Sequence, residues 1–336
     1  MAASTHSDGR AGIDSALVKR LIAAQFPQWK DLPVAPVEVD GWDNRTYRLG
    51  DEMTARLPTG AGYVPAVAKE NEWLPRLAPL LPFAVPPVLG QGEPGEGFPF
   101  PWSVRGWLPG ETAHRGRIED MSCFAVSVAE FVLALQRCDP TGGPLAGEHS
   151  WYRGAPPAYY DTETRRCLAE LDGRVDVERV AAVWEAALAA EWRGSPVWFH
   201  GDIASGNLLV VDGRLSAVID FGTSGVGDPA CDLVIAWTMF AGEDREAFRQ
   251  AVGQDAGTWA RARGWALWKE LLVLADCSDS DPERAAARRH VISEILAAHD
   301  SFAQPLDRRH ISDRTLSWGF GSGMSRGAEP TTDGLG

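Results

Sequence analysis

Cysteine is scarce and unpatterned in this chain of 336 residues. The five thiols, Cys123, Cys138, Cys167, Cys231 and Cys277, are odd in number and widely scattered, with no C-x-x-C pair. That spacing supports neither a disulfide framework nor a zinc site, so reduced, packed thiols are expected. Long apolar runs are missing too. No stretch reaches the roughly eighteen apolar residues of a membrane span, and MAASTHSDGRAGIDS lacks the apolar centre of a secretory signal. No membrane association is expected, and a cytoplasmic location is. Basic residues are outnumbered: 32 Lys and Arg against 46 Asp and Glu leave a formal charge of −14. A nucleic-acid partner is not expected from that balance, because such binders carry a basic face. An acidic surface either aids solubility or suits a cationic small molecule. There is no internal repeat.

What is present divides in two. Residues 14–26 place Leu17, Leu21 and Ile22 at helical spacing. VEVDGWDNRTYRLG and MTARLP read as strands, the first broken by a turn around Gly41. Pro65 can open a helix through VPAVAKENEWLPRLAPLL, with Pro75 disturbing its end. A Pro/Gly-rich patch, VPPVLGQGEPGEGFPF, precedes a strand in PWSVRGWLPG. Beyond Gly110 the pattern turns helical. Val128, Phe131, Val132 and Leu135 form one stripe, and ERVAAVWEAALAAEW, TWARARGWALWKELLVLA and ARRHVISEILAAH follow. The expected organisation is a disordered N-terminus over 1–12, a β-rich lobe over 13–108, a mainly helical lobe over 109–303 and a flexible Gly/Ser-rich tail over 304–336. The fold class is α+β.

The chemistry is concentrated in WFHGDIASGNLLVVDGRLSAVIDFG. LLVV and SAVID read as two strands joined by an Asp212-Gly213 turn, a strong hairpin signal. Asn207 begins one strand and Asp220 ends the other, so the hairpin brings them together. A carboxylate and an amide oxygen, with room for phosphate oxygens and water, make the hard-oxygen environment that Mg²⁺ accepts. Asp202 precedes Asn207 by one short loop and hangs over the same place. One acid to orient a hydroxyl and two groups to hold a metal against a nucleotide is what phosphoryl transfer requires. Asp and Asn also favour plain turns, but their joint spacing favours a site. Gly323-Met324-Ser325-Arg326-Gly327 spells a nucleophile elbow, but such an elbow needs a strand before it and a helix after it, and this one falls in the low-complexity tail, so a hydrolase is not expected.

His200-Gly201-Asp202 with Asn207, Ile219-Asp220-Phe221-Gly222, and Gly227-Asp228-Pro229 with Asp232-Leu233 together resemble the aminoglycoside phosphotransferase family of antibiotic kinases. GWDNRTYRLG, MTARLP, AKENEWLPRLA and PWSVRGWLPGE extend the likeness, which covers roughly residues 14–300. The resemblance implies a protein-kinase-like, two-lobed fold. It implies that Asp202 is the catalytic base or aligns the substrate hydroxyl, that Asn207 and Asp220 hold Mg²⁺, and that Gly41 to Asn44 form the loop over the phosphates. Gly106 and Leu108 would offer a backbone C=O and N–H to the nucleobase. His200 and Asp232 would brace the catalytic loop, and Asp228 would cap a helix opened by Pro229.

One position departs from the kinase pattern. The third strand supplies Arg56 where a Lys is usual, with Glu70 as its first candidate partner and Glu72 as its second. His-Gly-Asp in place of His-Arg-Asp, and only GTSGVG between Phe221 and Asp228, leave no platform for a peptide substrate. Trp265 and Trp268 sit at helical spacing and read either as core or as an aromatic wall of the acceptor pocket. Glu270 and Asp161, with Glu163 nearby, are candidates to receive ammonium groups. The expected activity is Mg²⁺-dependent transfer of the γ-phosphate of ATP or GTP to a hydroxyl of an aminoglycoside or related antibiotic. The alternatives are a macrolide, a metabolite alcohol such as choline, a thio-sugar or homoserine, and a catalytically silent nucleotide-binding scaffold. A monomer or homodimer is expected.

Overall fold

In the computed structural model, residues 12–303 are described apart from Val39, Arg115 and residues 278–280. The expected N-terminal disorder (except for Gly12), the tail over 304–336 and its nucleophile-elbow motif lie outside the described residues.

Leu17, Val18, Leu21 and Ile22 are the buried stripe of α1 (Ser15–Gln25), whose first turn is capped by Asp14 accepting the Leu17 N–H at 2.8 Å. That stripe packs on a five-stranded antiparallel sheet of β1 (Val34–Pro36), β2 (Asn44–Leu49), β3 (Met53–Pro58), β4 (Val88–Gly92) and β5 (Trp102–Gly106), in the order β1-β2-β3-β5-β4. Tyr47, Leu49, Ala55, Leu57, Trp102 and Val104 supply the sheet's side of this core. Between β3 and β4 runs α2 (Val64–Leu77), with Pro65 in its first turn and Pro75 inside it. Pro75 stands near the end of the helix, which passes directly into a tight turn at Ala78–Leu80. Trp73, Leu74 and Leu77 of α2 belong to the core of the helical part of the chain, while the helix also touches β4 and β5 of the sheet. The helix therefore bridges the two cores.

After the short β6 (Glu111–Thr112), the chain becomes mainly helical: α3 (Met121–Arg137), α4 (Asp161–Glu170) and α5 (Val177–Ala189). A small β layer then carries the motif residues. It comprises β7 (Val197–Phe199), β8 (Leu208–Val211), β9 (Arg214–Val218) and β10 (Gly225–Gly227), with β7 paired to β10 and β6-β8-β9 forming a second ladder. α6 (Ile235–Thr238), α7 (Gly242–Val252), α8 (Ala256–Asp276) and α9 (Pro282–Ala303) complete it. Asp212 and Gly213 both adopt positive φ, 49° and 75°, as a two-residue hairpin turn demands. The Pro/Gly-rich patch contains a strand, β4, that composition does not announce. Among the described residues, no helix is long and apolar enough to cross a membrane.

Candidate active site

The hairpin β8–β9 sets the geometry. Its pairing of Leu208 with Val218 is continued by the Ile219 N–H donating to Asn207 O at 2.9 Å, which places Asn207 beside the residue preceding Asp220. The Asn207 amide turns toward the preceding loop and donates to the Asp202 carboxylate at 3.0 Å and to its main-chain oxygen at 2.9 Å. Asp202, Asn207 and the end of β9 are thus tied together, with the Asn207 amide oxygen left for another partner. Asp220 itself is left-handed at φ 67° and ψ 67°, an uncommon conformation for a non-glycine residue.

The loop ahead of Asp202 is held from below. Asp232 accepts the backbone N–H groups of both His200 (2.8 Å) and Gly201 (2.6 Å). His200 is fully buried, with its ring against Phe221. Its Nδ1 accepts the Asp202 N–H at 3.2 Å while Nε2 faces Ile219 O at 3.1 Å, which fixes the proton on Nε2. Gly201 has φ +85°, and a Cβ there would come within 2.8 Å of Thr223 O, so the residue between His200 and Asp202 has to be glycine. Asp228 caps the turn Pro229–Val234 by accepting the Ala230 N–H at 3.1 Å, and a buried Arg261 grips it at 2.6 and 3.2 Å.

From the sheet side, Arg56 on β3 reaches Glu70 on α2 at 3.4 Å and Asp220 at 3.2 Å. Glu72, the second candidate, instead forms an exposed pair with Arg76. A second guanidinium, Arg105 on β5, also contacts Glu70 at 3.4 Å and the Asn71 side chain at 2.9 Å. Burial opposes ionisation of Glu70, but these two cations and Lys69 bring its carboxyl below the usual range. Lys69 points the other way. It donates to the Gly222 and Ser224 carbonyls at 2.7 Å each, and burial lowers its ammonium to about 8. It therefore braces the segment after Asp220 and is not available to a phosphate.

Gly41 and Asn44 flank the turn between β1 and β2. Asp40 accepts the Thr46 N–H at 3.0 Å, and Asp43 O accepts from Thr59 N at 2.9 Å and Oγ1 at 3.1 Å, pinning the base of the loop. Sequence reading passed over the Asp43 side chain. Burial first, and then the charge of Asp220, push its carboxyl up to about 6, so this loop brings a further acid near Asp220. Gly106 ends β5. Its N–H donates to Pro87 O at 2.9 Å, and a Cβ would meet the Pro87 ring at 2.5 Å. Leu108 follows in the connection from β5 to β6, half-buried.

Beside Asp202, a cavity is lined by Arg153, Ile203, Trp265, Trp268 and Lys269. Lys269 donates to the second Asp202 oxygen at 2.8 Å. Burial works against the Asp202 charge, but Lys269 leads the groups that hold its carboxyl below the ordinary value. Trp265 and Trp268 combine the two readings of the sequence: both are buried in the core, and both line this cavity. Glu270 does not face it. The carboxylate is 1% exposed and bonds Arg288, because the next position along α8 points to α9. Asp161 is occupied by Arg165 and by the Trp184 N–H at 2.8 Å, and Glu163 accepts the Trp268 N–H at 2.8 Å. Lys269 and Arg153 were not foreseen. One clue was available: the chain has only four lysines, Lys19, Lys30, Lys69 and Lys269, so a lysine inside an apolar helix stands out.

The folding pattern has known counterparts. An APH(2″) enzyme in complex with GDP and kanamycin superimposes with a TM-score of 0.63 at 15% identity, over 84% of this chain and 98% of that one. The ADP-bound aminoglycoside phosphotransferase APH(2″)-Ib gives a TM-score of 0.55 at 15% identity, over 84% and 99%. Macrolide 2′-phosphotransferase MphH from Brachybacterium faecium gives 0.54 at 23% identity, over 84% and 97%. These likenesses establish the kinase-like fold, with its antiparallel sheet ahead of a helical region. No curated protein sequence matches significantly. The sequence profile of the phosphotransferase enzyme family matches residues 35–265, well over half of the chain, and the chain belongs to that family.

Proposed function

We propose that the protein is a small-molecule O-phosphotransferase that moves the γ-phosphate of ATP or GTP to a hydroxyl group. The observation that carries this reading is the convergence of Asp202, Asn207 and Asp220 on one end of the β8–β9 hairpin, with Arg56 joining Asp220 to Glu70. Asp202 orients the acceptor hydroxyl and takes its proton. The hydroxyl oxygen bonds to the γ-phosphorus as the bond to the β,γ-bridging oxygen breaks, and the nucleoside diphosphate leaves. Arg56, as a planar fork, can touch phosphate oxygens while keeping Glu70. The Gly41–Asn44 loop lies over the phosphates, and the Gly106 carbonyl and Leu108 N–H face the base. The GDP- and ADP-bound structural neighbours support a nucleotide donor.

The donor set fits a magnesium ion. Asn207 commits its amide N–H groups to Asp202 and retains its oxygen, and Asp220 gives one of its oxygens to Arg56 and retains the other. Among the described residues, no three His, Cys, Asp or Glu side chains form a cluster that could hold a metal alone. That is the expectation for Mg²⁺, which completes its shell with phosphate oxygens and water. When bound, the ion would neutralise charge on the β- and γ-phosphates.

Among acceptors, the aminoglycoside and macrolide enzymes with this fold make antibiotics, and hence a role in resistance, the first to try. The test is a phosphorylation screen of antibiotics and sugar alcohols with Mg-ATP and Mg-GTP, with nucleotide hydrolysis measured alongside. Acceptor-dependent release of nucleoside diphosphate is expected. Nucleotide binding with no transfer to any alcohol would favour a silent scaffold.

A further inference from the structure

The lining of the cavity next to Asp202 has a sign opposite to that of the whole chain. The cavity next to Asp202 is lined by two cations, Arg153 and Lys269, and one carboxylate, Asp202 itself. The Asp202 charge is already met by Lys269 at 2.8 Å, which leaves Arg153 in surplus. Among the described residues, Arg153 forms no ion pair. It donates to Trp151 O at 3.2 Å, and its guanidinium lies 4.7 Å from the Trp268 ring centre and 5.7 Å from that of Trp265.

The backbone that delivers Arg153 is strained. Trp151 and Tyr152, immediately before it, have φ of 49° and 55°, and two consecutive non-glycine residues in that region are costly unless their surroundings enforce them. Here the Tyr160 hydroxyl bonds Trp151 O at 2.7 Å, and the Tyr159 ring stacks on Tyr152. Tyr160 in turn stacks on Trp268 at 4.0 Å. The carboxylates that could have received ammonium groups are engaged elsewhere: Glu270 with Arg288, Asp161 with Arg165 and Trp184. Only Glu163, on the Trp268 N–H, borders the aromatic wall.

Resting on the phosphotransfer reading above, we propose that the acceptor is an alcohol carrying an anionic group, and not a polyamine. Trp265 and Trp268 are buried behind Arg153 and Tyr160, and they hold the guanidinium in place. The acceptor's anion, a carboxylate or a phosphate, is held by the free donors of Arg153 with Lys269 alongside, and its hydroxyl is presented to Asp202. A guanidinium suits this task because its fork matches two oxygens of one anion.

Three matched alcohols test the proposal on the full chain with Mg-ATP and Mg-GTP: para-(hydroxymethyl)benzoate, para-(hydroxymethyl)benzamide and para-(hydroxymethyl)benzylamine, with kanamycin as the polyamine. Release of ADP or GDP gives turnover, and equilibrium titration gives binding. The carboxylate should exceed the amide in kcat/KM by about tenfold or more, since one charge-assisted hydrogen bond is at stake, and the amine should be poorest. Arg153→Gln should bring the carboxylate-to-amide ratio close to one, mainly through KM. A preference for the amine or for kanamycin overturns the proposal. So does an Arg153→Gln variant that lowers kcat on all acceptors while the ratio persists, which would place Arg153 on the transferred phosphoryl group. Failure of all three compounds to bind or react, with Mg-nucleotide binding intact, overturns this inference alone; loss of nucleotide binding as well takes the phosphotransferase reading down with it.

Discussion

Replacing Arg261 by Met tests whether the loop that carries Asp202 is supported from the core of the helical region. Asp228 and Arg261 are 2% and 3% exposed, and two oxygens meet two nitrogens at 2.6 and 3.2 Å. Without the guanidinium, Asp228 keeps one partner, the Ala230 N–H at 3.1 Å, and is otherwise a buried, uncompensated charge. Breaking such a pair from one side costs about 3–5 kcal/mol. The remaining hydrogen bond puts the expectation at the lower end, about 3 kcal/mol. At roughly 2–4 °C per kcal/mol for a chain of this size class, the melting midpoint should fall by about 10 °C. Function should suffer earlier than folding. Asp228 caps the turn that carries Asp232, and Asp232 holds the N–H groups of His200 and Gly201, so turnover should decline at temperatures where the variant is still folded. The assay is a thermal melt of parent, Arg261→Met and the double variant Asp228→Ala/Arg261→Met, with turnover measured well below each midpoint. The double variant should be less destabilised than the single one, because it leaves no lone charge. A single variant melting within about 2 °C of the parent, or a double variant worse than the single, would refute the reasoning.

Asp202→Asn should lower kcat by about 10²-fold or more, the contribution typical of a general base, with nucleotide affinity nearly intact; turnover close to that of the parent would remove Asp202 from that role. Asp220→Ala should abolish the Mg²⁺ dependence of nucleotide binding, and Asn207→Ala should weaken it less, because a full charge is lost in one and only a dipole in the other. Titrating nucleotide at graded Mg²⁺ checks this, and an unchanged dependence in Asp220→Ala would contradict the metal assignment. Asp43 carries a carboxyl raised from 3.8 to about 6, so in the nucleotide-free protein it contributes stability below about pH 4 and loses it as pH climbs through about 6. Asp43→Asn should therefore gain on the parent between pH 4 and pH 7 in denaturant titrations; a gap that does not widen over that range would contradict the placement of Asp43 beside Asp220.

What could be read in the sequence is what depends on short spans. The hairpin follows from Asp212-Gly213, and it alone brings Asn207 toward Asp220. Asp232 and Asp228 lie within one turn of each other, so their bracing and capping geometry follows from local rules. The pairing of Arg56 with Glu70, rather than Glu72, depends on which face α2 turns to the sheet, and spacing left both open. Lys269 reaches Asp202 across 67 positions, which only the docking of α8 under the loop determines. β4 was illegible for a steric reason. Its glycines look like turn residues, but a Cβ on Gly90 would meet Phe26 at 2.8 Å and one on Gly92 would meet Trp102 at 2.1 Å. The strand is glycine-rich because large rings lie across it, and composition reads that as a loop.

The charge of the whole chain and that of the proposed acceptor site point in different directions. A formal charge of −14 suggests a cationic ligand. Exposed charges act over about 8 Å at physiological salt, so most of that excess is screened from an acceptor seated at Asp202. An acceptor seated as proposed would face Arg153 and Lys269 beside Asp202, while Glu270 and Asp161 are paired with their own arginines. The acidic surface bears on how quickly a cation is drawn toward the protein, and the site bears on what remains bound once the hydroxyl is in place. The two effects separate experimentally, since steering weakens with added salt while recognition by a half-buried guanidinium over an aromatic face does so far less.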